Sequence, residues 1–146
     1  MFDPAVGRWI PTQSMHQKRF SSAAAELNGA IYAAGGFHGE NYLNIPSMNI
    51  RRGFHSLIVM NEKLYMVGGY NGENMVSSVE VFDPRKNSWI VSDEMKEARG
   101  YATAAVIGES IFVISGLKDG KLLTDTVECY KADQVFVDPW WAFVGE

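Results

Sequence analysis

The chain has 146 residues, of which 47% are hydrophobic and 21% charged, a balance typical of a globular domain that buries its own core. Its formal net charge of −4 argues against the broad basic surface on which non-specific nucleic-acid binding depends. The single cysteine, Cys129, excludes an intramolecular disulfide, and residues 1–15 lack the pattern of a signal peptide. Because no apolar stretch reaches transmembrane length, we expect a protein of the cytoplasm, or of the nucleus, that binds neither membranes nor nucleic acid.

The chain opens with the tripeptide Phe2-Asp3-Pro4, and Trp9 follows seven residues after Phe2. The same arrangement returns at residues 82–84, with Trp89 seven residues after Phe82. A pattern that recurs at a long interval indicates a repeated structural unit. Residues 1–12 are therefore predicted to be the outer part of such a unit, so that the chain begins in the middle of one.

A second recurring pattern starts at three methionines, each followed four positions later by an arginine. Nine positions after each arginine comes a turn residue, thirteen positions after it an aromatic, and then a pair of small residues followed by a large side chain. Because the spacing is the same in all three copies, each copy is predicted to be one structural unit. The copies are Met15, Arg19, Asn28, Tyr32, Gly35-Gly36 and Phe37; Met48, Arg52, Asn61, Tyr65, Gly68-Gly69 and Tyr70; and Met95, Arg99, Gly108, Phe112, Ser115-Gly116 and Leu117.

In each copy two short apolar runs flank the turn, which predicts a β-hairpin at the start of every unit. The runs are almost continuously apolar, as in strands of sheets that neighbouring sheets cover on both faces. Residues 76–84 and 124–132 are predicted to form a third strand, and residues 88–92 a fourth. Each complete unit is therefore expected to be a four-stranded antiparallel sheet.

A four-stranded unit of 47 residues, measured from Arg52 to Arg99, with a glycine pair and one tryptophan, resembles the kelch repeat. The resemblance covers about residues 1–133 and implies an all-β fold, an incomplete kelch-type β-propeller of four-stranded antiparallel blades. The recurring large aromatics are expected to pack between blades. They are Trp9, Trp89, Tyr32, Tyr65 and Phe112.

The repeats divide the chain into a partial blade (1–12), a shortened blade (13–43), a full blade (44–92) and a last blade (93–133). From Arg19 to Arg52 the interval is 33 residues, 14 fewer than the 47 from Arg52 to Arg99, so the shortened blade is expected to lack its third strand and most of its fourth. Such a ring is not expected to close. We interpret the sequence as a truncated isoform or a fragment that is able to self-associate through open sheet edges.

Residues 134–146 depart from the repeat and form a divergent tail rich in aromatics. So many large apolar side chains are unusual in a solvated segment, so the tail is expected to cover the open edge of the last blade. The aromatics concerned are Trp140, Trp141 and Phe143.

Strands alternate in direction within a blade, so the loop after the second strand lies at the same end as the segment before the first strand of the next blade. Arginines interleaved with aromatics at this end suit a peptide that carries carboxylates, because the guanidinium group makes bidentate hydrogen bonds and the rings supply apolar area. The first set of loops carries Phe37, His38, Tyr70, Asn71, Leu117 and Lys118, and the second carries Lys18, Arg19, Arg51, Arg52, Lys96 and Arg99.

Resemblance to the kelch domains of ubiquitin-ligase adaptors implies peptide contacts at Arg19, Arg52, Arg99, Phe37 and Tyr70; the adjacent His38 and Asn71 complete the candidate site. The predicted function is a protein-interaction module that recognises an acidic peptide or loop, as the substrate-recognition part of such an adaptor. Another interpretation stays open, in which the recurring arginines bridge blades or bind loop carbonyls. The repeated glutamates of the third strand, Glu80 and Glu128, are expected to make structural hydrogen bonds.

Two alternatives remain: a metal-dependent enzyme of the kelch oxidase or specifier type, and a purely architectural repeat fragment. The only histidines are His16, His38 and His55, and they show no metal-ligand spacing with each other or with Cys129. No nucleotide-binding or nucleophile motif is present. We therefore predict no catalytic residue, no metal site and no cofactor.

Overall fold

A computed structural model of the chain describes residues 1–15, 18–38, 41–42, 48–131 and 134–137, with only the backbone described at 38, 41–42 and 134–137. In this part of the chain all paired strands are antiparallel, and the only helix is a single 3₁₀ turn, η1. The predicted all-β fold of four-stranded blades is confirmed. The strands are β1 (Phe2–Asp3), β2 (Arg8–Trp9), β3 (Ala23–Leu27), β4 (Ala30–Ala34), β5 (Phe37–His38), β6 (Asn41–Tyr42), β7 (Ser56–Met60), β8 (Lys63–Val67), β9 (Val79–Asp83), β10 (Ser88–Val91), β11 (Thr103–Ile107), β12 (Ser110–Ile114), β13 (Leu117–Lys118), β14 (Leu122–Leu123), β15 (Val127–Lys131) and β16 (Gln134–Val137), with η1 at Asp119–Lys121.

The middle blade is a four-stranded sheet in the order β7-β8-β9-β10. Its first hairpin turns at Asn61 and Glu62, both with positive φ (50° and 57°), which is the geometry that matches the twist of paired strands. The hairpin of β3 and β4 turns in the same way at Asn28 and Gly29 (53° and 78°). The predicted turns therefore form at the expected positions.

The last blade is also four-stranded, in the order β11-β12-β15-β16. Its fourth strand, Gln134–Val137, lies in the segment that the sequence analysis assigned to the divergent tail, so the blade extends past residue 133. A short additional hairpin, β13 with β14, follows the second strand. Trp140, Trp141 and Phe143, which were expected to cover the open edge, lie outside the described residues.

The shortened blade, residues 13–43, is called the first blade from here on. It contributes the two-stranded sheet β3-β4, and within the described residues β4 pairs only with β3. Two further two-stranded sheets precede and follow it, β1-β2 and β5-β6. The interpretation of Trp9 as a packing residue between blades was wrong: its side chain is 77% exposed and contacts Phe2 edge to face at 5.6 Å. Trp89, at the same position of the repeat, is partly buried and packs on Phe82.

The core lies between blades, and successive residues of the middle blade serve different interfaces. Leu64 and Met66 of β8 pack toward the first blade, whereas Tyr65 and Val67 pack toward the last blade. This alternation follows from the two-residue period of a strand. It explains why the strand runs are continuously apolar, because neighbouring sheets cover both faces of the middle blade.

Candidate protein-interaction face

Three isolated β-bridges lie at the same end of the blades. We call this end the loop-end face. In each blade the residue after the repeat arginine pairs with the large residue after the small pair, at Phe20 with Phe37, Gly53 with Tyr70, and Gly100 with Leu117. The expectation that Arg52 and Tyr70 lie at the same end of the blade is confirmed, because Tyr70 exchanges both backbone hydrogen bonds with the neighbour of Arg52, at 3.0 and 2.8 Å.

The Arg52 side chain is fully buried inside the middle blade. Its Nη1 donates to the carbonyls of Gly68 (3.0 Å) and Ser78 (2.8 Å), and its Nη2 donates to Ser78 Oγ (2.7 Å) and Glu80 Oε1 (2.8 Å). Glu80 in turn accepts the backbone amides of Asn49 and Ile50 at 2.8 and 3.1 Å. The pair therefore ties the segment before the first strand to the third strand.

Arg99 repeats this arrangement in the last blade. Its Nη1 donates to the carbonyls of Ser115 (3.1 Å) and Thr126 (3.0 Å), and its Nη2 donates at 2.8 Å to Thr126 Oγ1 and Glu128 Oε1. Glu97 supplies a second carboxylate to the same nitrogen at 2.8 Å. Glu128 accepts two backbone amides of the preceding segment, at 2.6 and 3.2 Å.

These contacts favour the structural alternative for two of the three arginines. The side chains of Arg52 and Arg99 are 0% exposed, and carboxylates and carbonyls of their own blades already surround their Nη groups. A partner could reach them only by displacing a buried ion pair. Glu80 and Glu128 make the structural hydrogen bonds that the sequence predicted.

Arg19, the third candidate arginine, is only half-buried. Its Nη1 donates to the carbonyl oxygens of Gly35 at 3.2 Å and Ala33 at 3.5 Å. Within the described residues no carboxylate lies within ion-pair distance of it. Arg19 therefore differs in environment from its two equivalents.

The other candidate residues occupy the loop-end face in different ways. Phe37 is buried and lies over Gly53, where a Cβ would come 2.0 Å from its ring, so this close approach requires glycine. The Tyr70 hydroxyl donates to the Gly72 carbonyl at 2.8 Å. Asn71 Oδ1 accepts the amides of Glu73 and Asn74, both at 2.9 Å, so its side chain shapes the turn. The His38 side chain lies outside the described part of the chain.

A row of aromatic rings crosses the loop-end face, and sequence reasoning identified only one of its members. Ring centroids are separated by 5.3 Å between Phe20 and Phe37, 5.4 Å between Phe37 and Phe54, and 4.2 Å between Phe54 and Tyr101. The ends of the row are open to solvent, since Phe20 is 54% and Tyr101 55% exposed. We call these four residues the aromatic row.

The row is held in an unusual backbone conformation. Ser21, Phe54 and Tyr101, each two positions after a repeat arginine, have φ of 55°, 55° and 57°, a region that bulky residues rarely adopt. Backbone hydrogen bonds link them across blades: the Phe54 amide donates to Ser21 O at 3.2 Å, and the Tyr101 amide to Phe54 O at 2.8 Å. The sequence signal for the row is an aromatic residue two positions after the repeat arginine, at Phe54 and Tyr101.

Exposed cations precede the repeat arginines in sequence, and a depression adjoins the row at Tyr101. Lys18, Arg51 and Lys96 precede the repeat arginines and are exposed. Lys118 is instead paired with Glu97 at 2.6 Å, and this hydrogen bond lowers the pKa of the Glu97 carboxyl. An open depression of about 400 Å³ adjoins the row and is lined by Tyr101, Ser115, Gly116, Leu117, Leu123 and Thr124.

Two observations on the described residues bear on the enzyme alternative. His55 is buried beside Arg52, and burial, followed by the Arg52 charge, lowers its pKa to about 4, so it is neutral at pH 7. In the part of the chain that the structure describes, no group of three or more His, Cys, Asp or Glu residues could hold a metal ion. His16 lies outside this part. The same residues include no helix with the length and apolar character needed to cross a membrane.

Comparisons with known proteins agree with the repeat architecture. The Kelch motif family matches residues 51–96. Kelch-like protein 35 of Homo sapiens is 30% identical over 140 residues, which cover 88% of this chain and 24% of that protein. Alpha-scruin of Limulus polyphemus is 30% identical over 161 residues, covering 92% of this chain and 17% of that protein.

Among solved structures, that of YjhT matches with a TM-score of 0.69 at 16% identity, over 82% of this chain and 51% of that chain. The chain thus spans about a quarter or less of the length of the curated relatives named above. From its repeats, its blades and these matches together, we conclude that the chain is a partial set of kelch repeats of the β-propeller type.

Proposed function

We propose that the chain is a protein-interaction module without catalysis of its own, and that it binds a partner at the loop-end face. The observation that carries the proposal is the aromatic row, whose ends at Phe20 and Tyr101 are more than half exposed. Exposed aromatics beside a depression are typical of binding surfaces, because rings supply large contact area with little loss of side-chain entropy. Backbone strain at Phe54 and Tyr101 supports the same assignment.

The partner that fits this face best is an acidic peptide or loop with an apolar anchor. The anchor would pack on the aromatic row, and carboxylates would meet the exposed Lys18, Arg51 and Lys96. The Nη groups of Arg52 and Arg99 bind carboxylates of their own blades, whereas among the described residues those of Arg19 meet only main-chain carbonyls. We therefore expect the partner to contact Arg19, and not all three repeat arginines equally.

Two further assignments belong to the same proposal. We place the protein in the cytoplasm or nucleus, as substrate-recognition part of a ubiquitin-ligase adaptor, supported by the resemblance of its repeats to the kelch domains of such adaptors. We also expect the 146-residue chain to self-associate, because among the described residues β4 pairs on one edge only and the last blade exposes Ile107 and Ile114.

Selection of a displayed random peptide library on the purified chain tests the proposal. Selected peptides should combine Asp or Glu with an aromatic or aliphatic residue. Tyr101→Ala and Arg51→Glu should each weaken their binding at least about tenfold, as for anchors and opposed charges. The matched control is Ile90→Ala, an exposed apolar residue of β10 away from this face. Binders that tolerate both Tyr101→Ala and Arg51→Glu would contradict the assignment.

A further inference from the structure

The third strand of a complete blade supplies three groups to the repeat arginine: a main-chain carbonyl, a hydroxyl and a carboxylate. In the middle blade the first two come from Ser78 and the third from Glu80. In the last blade they come from Thr126 and Glu128. The second strand adds one carbonyl, from Gly68 or Ser115.

Arg19 has only the second-strand part of this environment. Its bond to the Gly35 carbonyl, at 3.2 Å, is the equivalent of those to Gly68 and Ser115, since all three lie sixteen residues after the arginine. No third-strand carbonyl, hydroxyl or carboxylate reaches it within the described residues, where β4 pairs only with β3. The Nε atoms of all three arginines are buried without a hydrogen-bond partner, so Arg19 differs from the other two at its Nη groups.

The edge of β4 is chemically suited to another strand. It contains Ala30–Ala34, with no charged residue and no proline, although such residues are the usual protection of an exposed edge. Ile31 on this edge is 82% exposed. In the described part of the chain, the unpaired edge of β4 lies beside a half-buried guanidinium that meets no carboxylate, so it presents main-chain hydrogen-bonding groups and a site for one carboxylate.

Register in the complete blades specifies which residues an added strand would need. Glu80 pairs with Met66 and Phe82 with Leu64; in the same way Glu128 pairs with Val113 and Tyr130 with Ile111. Ala33 and Ile31 hold the corresponding positions of β4, counted from Arg19. An incoming strand would therefore place a glutamate opposite Ala33 and an aromatic opposite Ile31.

The geometry points to strand addition: β4 accepts an extended segment of a partner protein in antiparallel register, with a glutamate of that segment on Arg19. The segment follows the pattern Ser or Thr, Val, Glu, Val or Cys, Phe or Tyr, as in residues 78–82 and 126–130. Main-chain bonds to the edge provide affinity, and the charge-assisted guanidinium–carboxylate bond provides selectivity. This inference goes beyond the proposed function, because it concerns Arg19 and the edge of β4, whereas the aromatic row is a separate surface.

The probe is a synthetic peptide with the sequence of residues 76–84, VSSVEVFDP, titrated into the purified chain by calorimetry. Replacing its glutamate with glutamine should weaken binding by about 10- to 100-fold, the usual range for a hydrogen bond between charged groups. Arg19→Gln in the chain should weaken binding of the glutamate peptide by a similar factor. Combining both changes should cause little further loss, because they remove the same contact.

Matched controls separate this site from other surfaces. Arg85→Gln, at an exposed arginine in the turn between β9 and β10, should leave binding of the peptide unchanged. Amide hydrogen exchange should slow across Ala30–Ala34 when the peptide is bound. The glutamine peptide tests the contact on the unaltered chain, so the result does not depend on the folding of Arg19→Gln, which circular dichroism checks.

Absence of binding by the glutamate peptide, or equal binding of both peptides, would overturn the inference. Tyr101→Ala separates this inference from the proposed function. The variant removes one ring of the aromatic row and should leave the affinity of this peptide for the β4 edge unchanged. If Tyr101→Ala abolished its binding, the peptide would occupy the aromatic row instead, which would favour the proposed function and refute strand addition.

Discussion

Arg19, Arg52 and Arg99 occupy the same position of the repeat, but only the last two meet a carboxylate within the described residues. The sequence predicted their register and left a structural and a binding role open for each. What decides between the roles is a glutamate 28 or 29 residues later, which reaches the arginine across the sheet. Recurrence alone could not link these residues, because the contact depends on how the third strand pairs with the second.

We predict that Arg52→Ala destabilises the fold by about 3–5 kcal/mol, because it leaves the buried Glu80 without its counter-charge. Arg52→Lys should restore little, since an ammonium cannot serve the Ser78 and Glu80 acceptors with a planar fork. Denaturant unfolding measures both variants. Arg51→Ala is the control and should change stability by no more than about 0.5 kcal/mol. Equal stability of Arg52→Ala and Arg51→Ala would restore the surface-binding role for Arg52.

His55 gives the fold a pH dependence whose direction can be derived. Its pKa is lowered to about 4 in the folded chain, by burial and then by Arg52, against an ordinary value of 6.5. Between these values the unfolded chain binds the proton first, so stability falls as pH decreases from about 6.5 to 4, by about 3 kcal/mol in total. His55→Gln should remove this component from unfolding curves measured across the window, while carboxylate titrations remain in both proteins. Identical pH profiles of the two would contradict the prediction.

Among the elements, hairpins and complete blades were predictable from sequence, whereas their additions were not. The turns at Asn28 and Asn61 formed as predicted, because two positive-φ positions between short apolar runs strongly favour a hairpin. Strand β16 was not recognised, because the repeat's tryptophan is missing there and strand pairing needs no particular residue. The aromatic row was missed because two of its three ring contacts join separate blades.

The shortened blade shows how a deletion in sequence becomes a surface. This blade is 14 residues shorter than the next one, after its second strand, and in the described residues β4 pairs only with β3. The hairpin keeps its core side, since Leu27 and Ala34 remain buried against the middle blade. Its outer edge stays unpaired in this part of the chain, and Arg19 lacks its third-strand acceptors. Core packing and edge pairing are therefore separable in this fold.

At the scale of the whole molecule, neighbouring sheets cover the middle blade on both faces, whereas the last blade packs on the middle blade with one face only, as far as the described residues show. Thr103, Ala105 and Ile107 of β11 point to the same side as their partners Ile114 and Phe112 in β12. Within the chain, the equivalent side of the middle blade packs Tyr65 and Val67 against the last blade. Among the described residues no further sheet packs on this side of the last blade, where Ile107 is 62% and Ile114 41% exposed. We call it the open face.

We predict that the 146-residue chain self-associates through the open face, because packing it against another sheet removes apolar surface from water. Light scattering coupled to size exclusion, over a concentration series, should give a mass above that of one chain. The double variant Ile107→Lys with Ile114→Lys should shift the mass toward the monomer, since association would bury two charges. Leu123→Lys is the control, because this residue of β14 is highly exposed but belongs to a different sheet.

If association is head to tail, Ile31→Lys on the first blade should disrupt it as well, whereas contact between two open faces would tolerate that change. An unaltered chain that stays monomeric at every concentration would contradict the prediction.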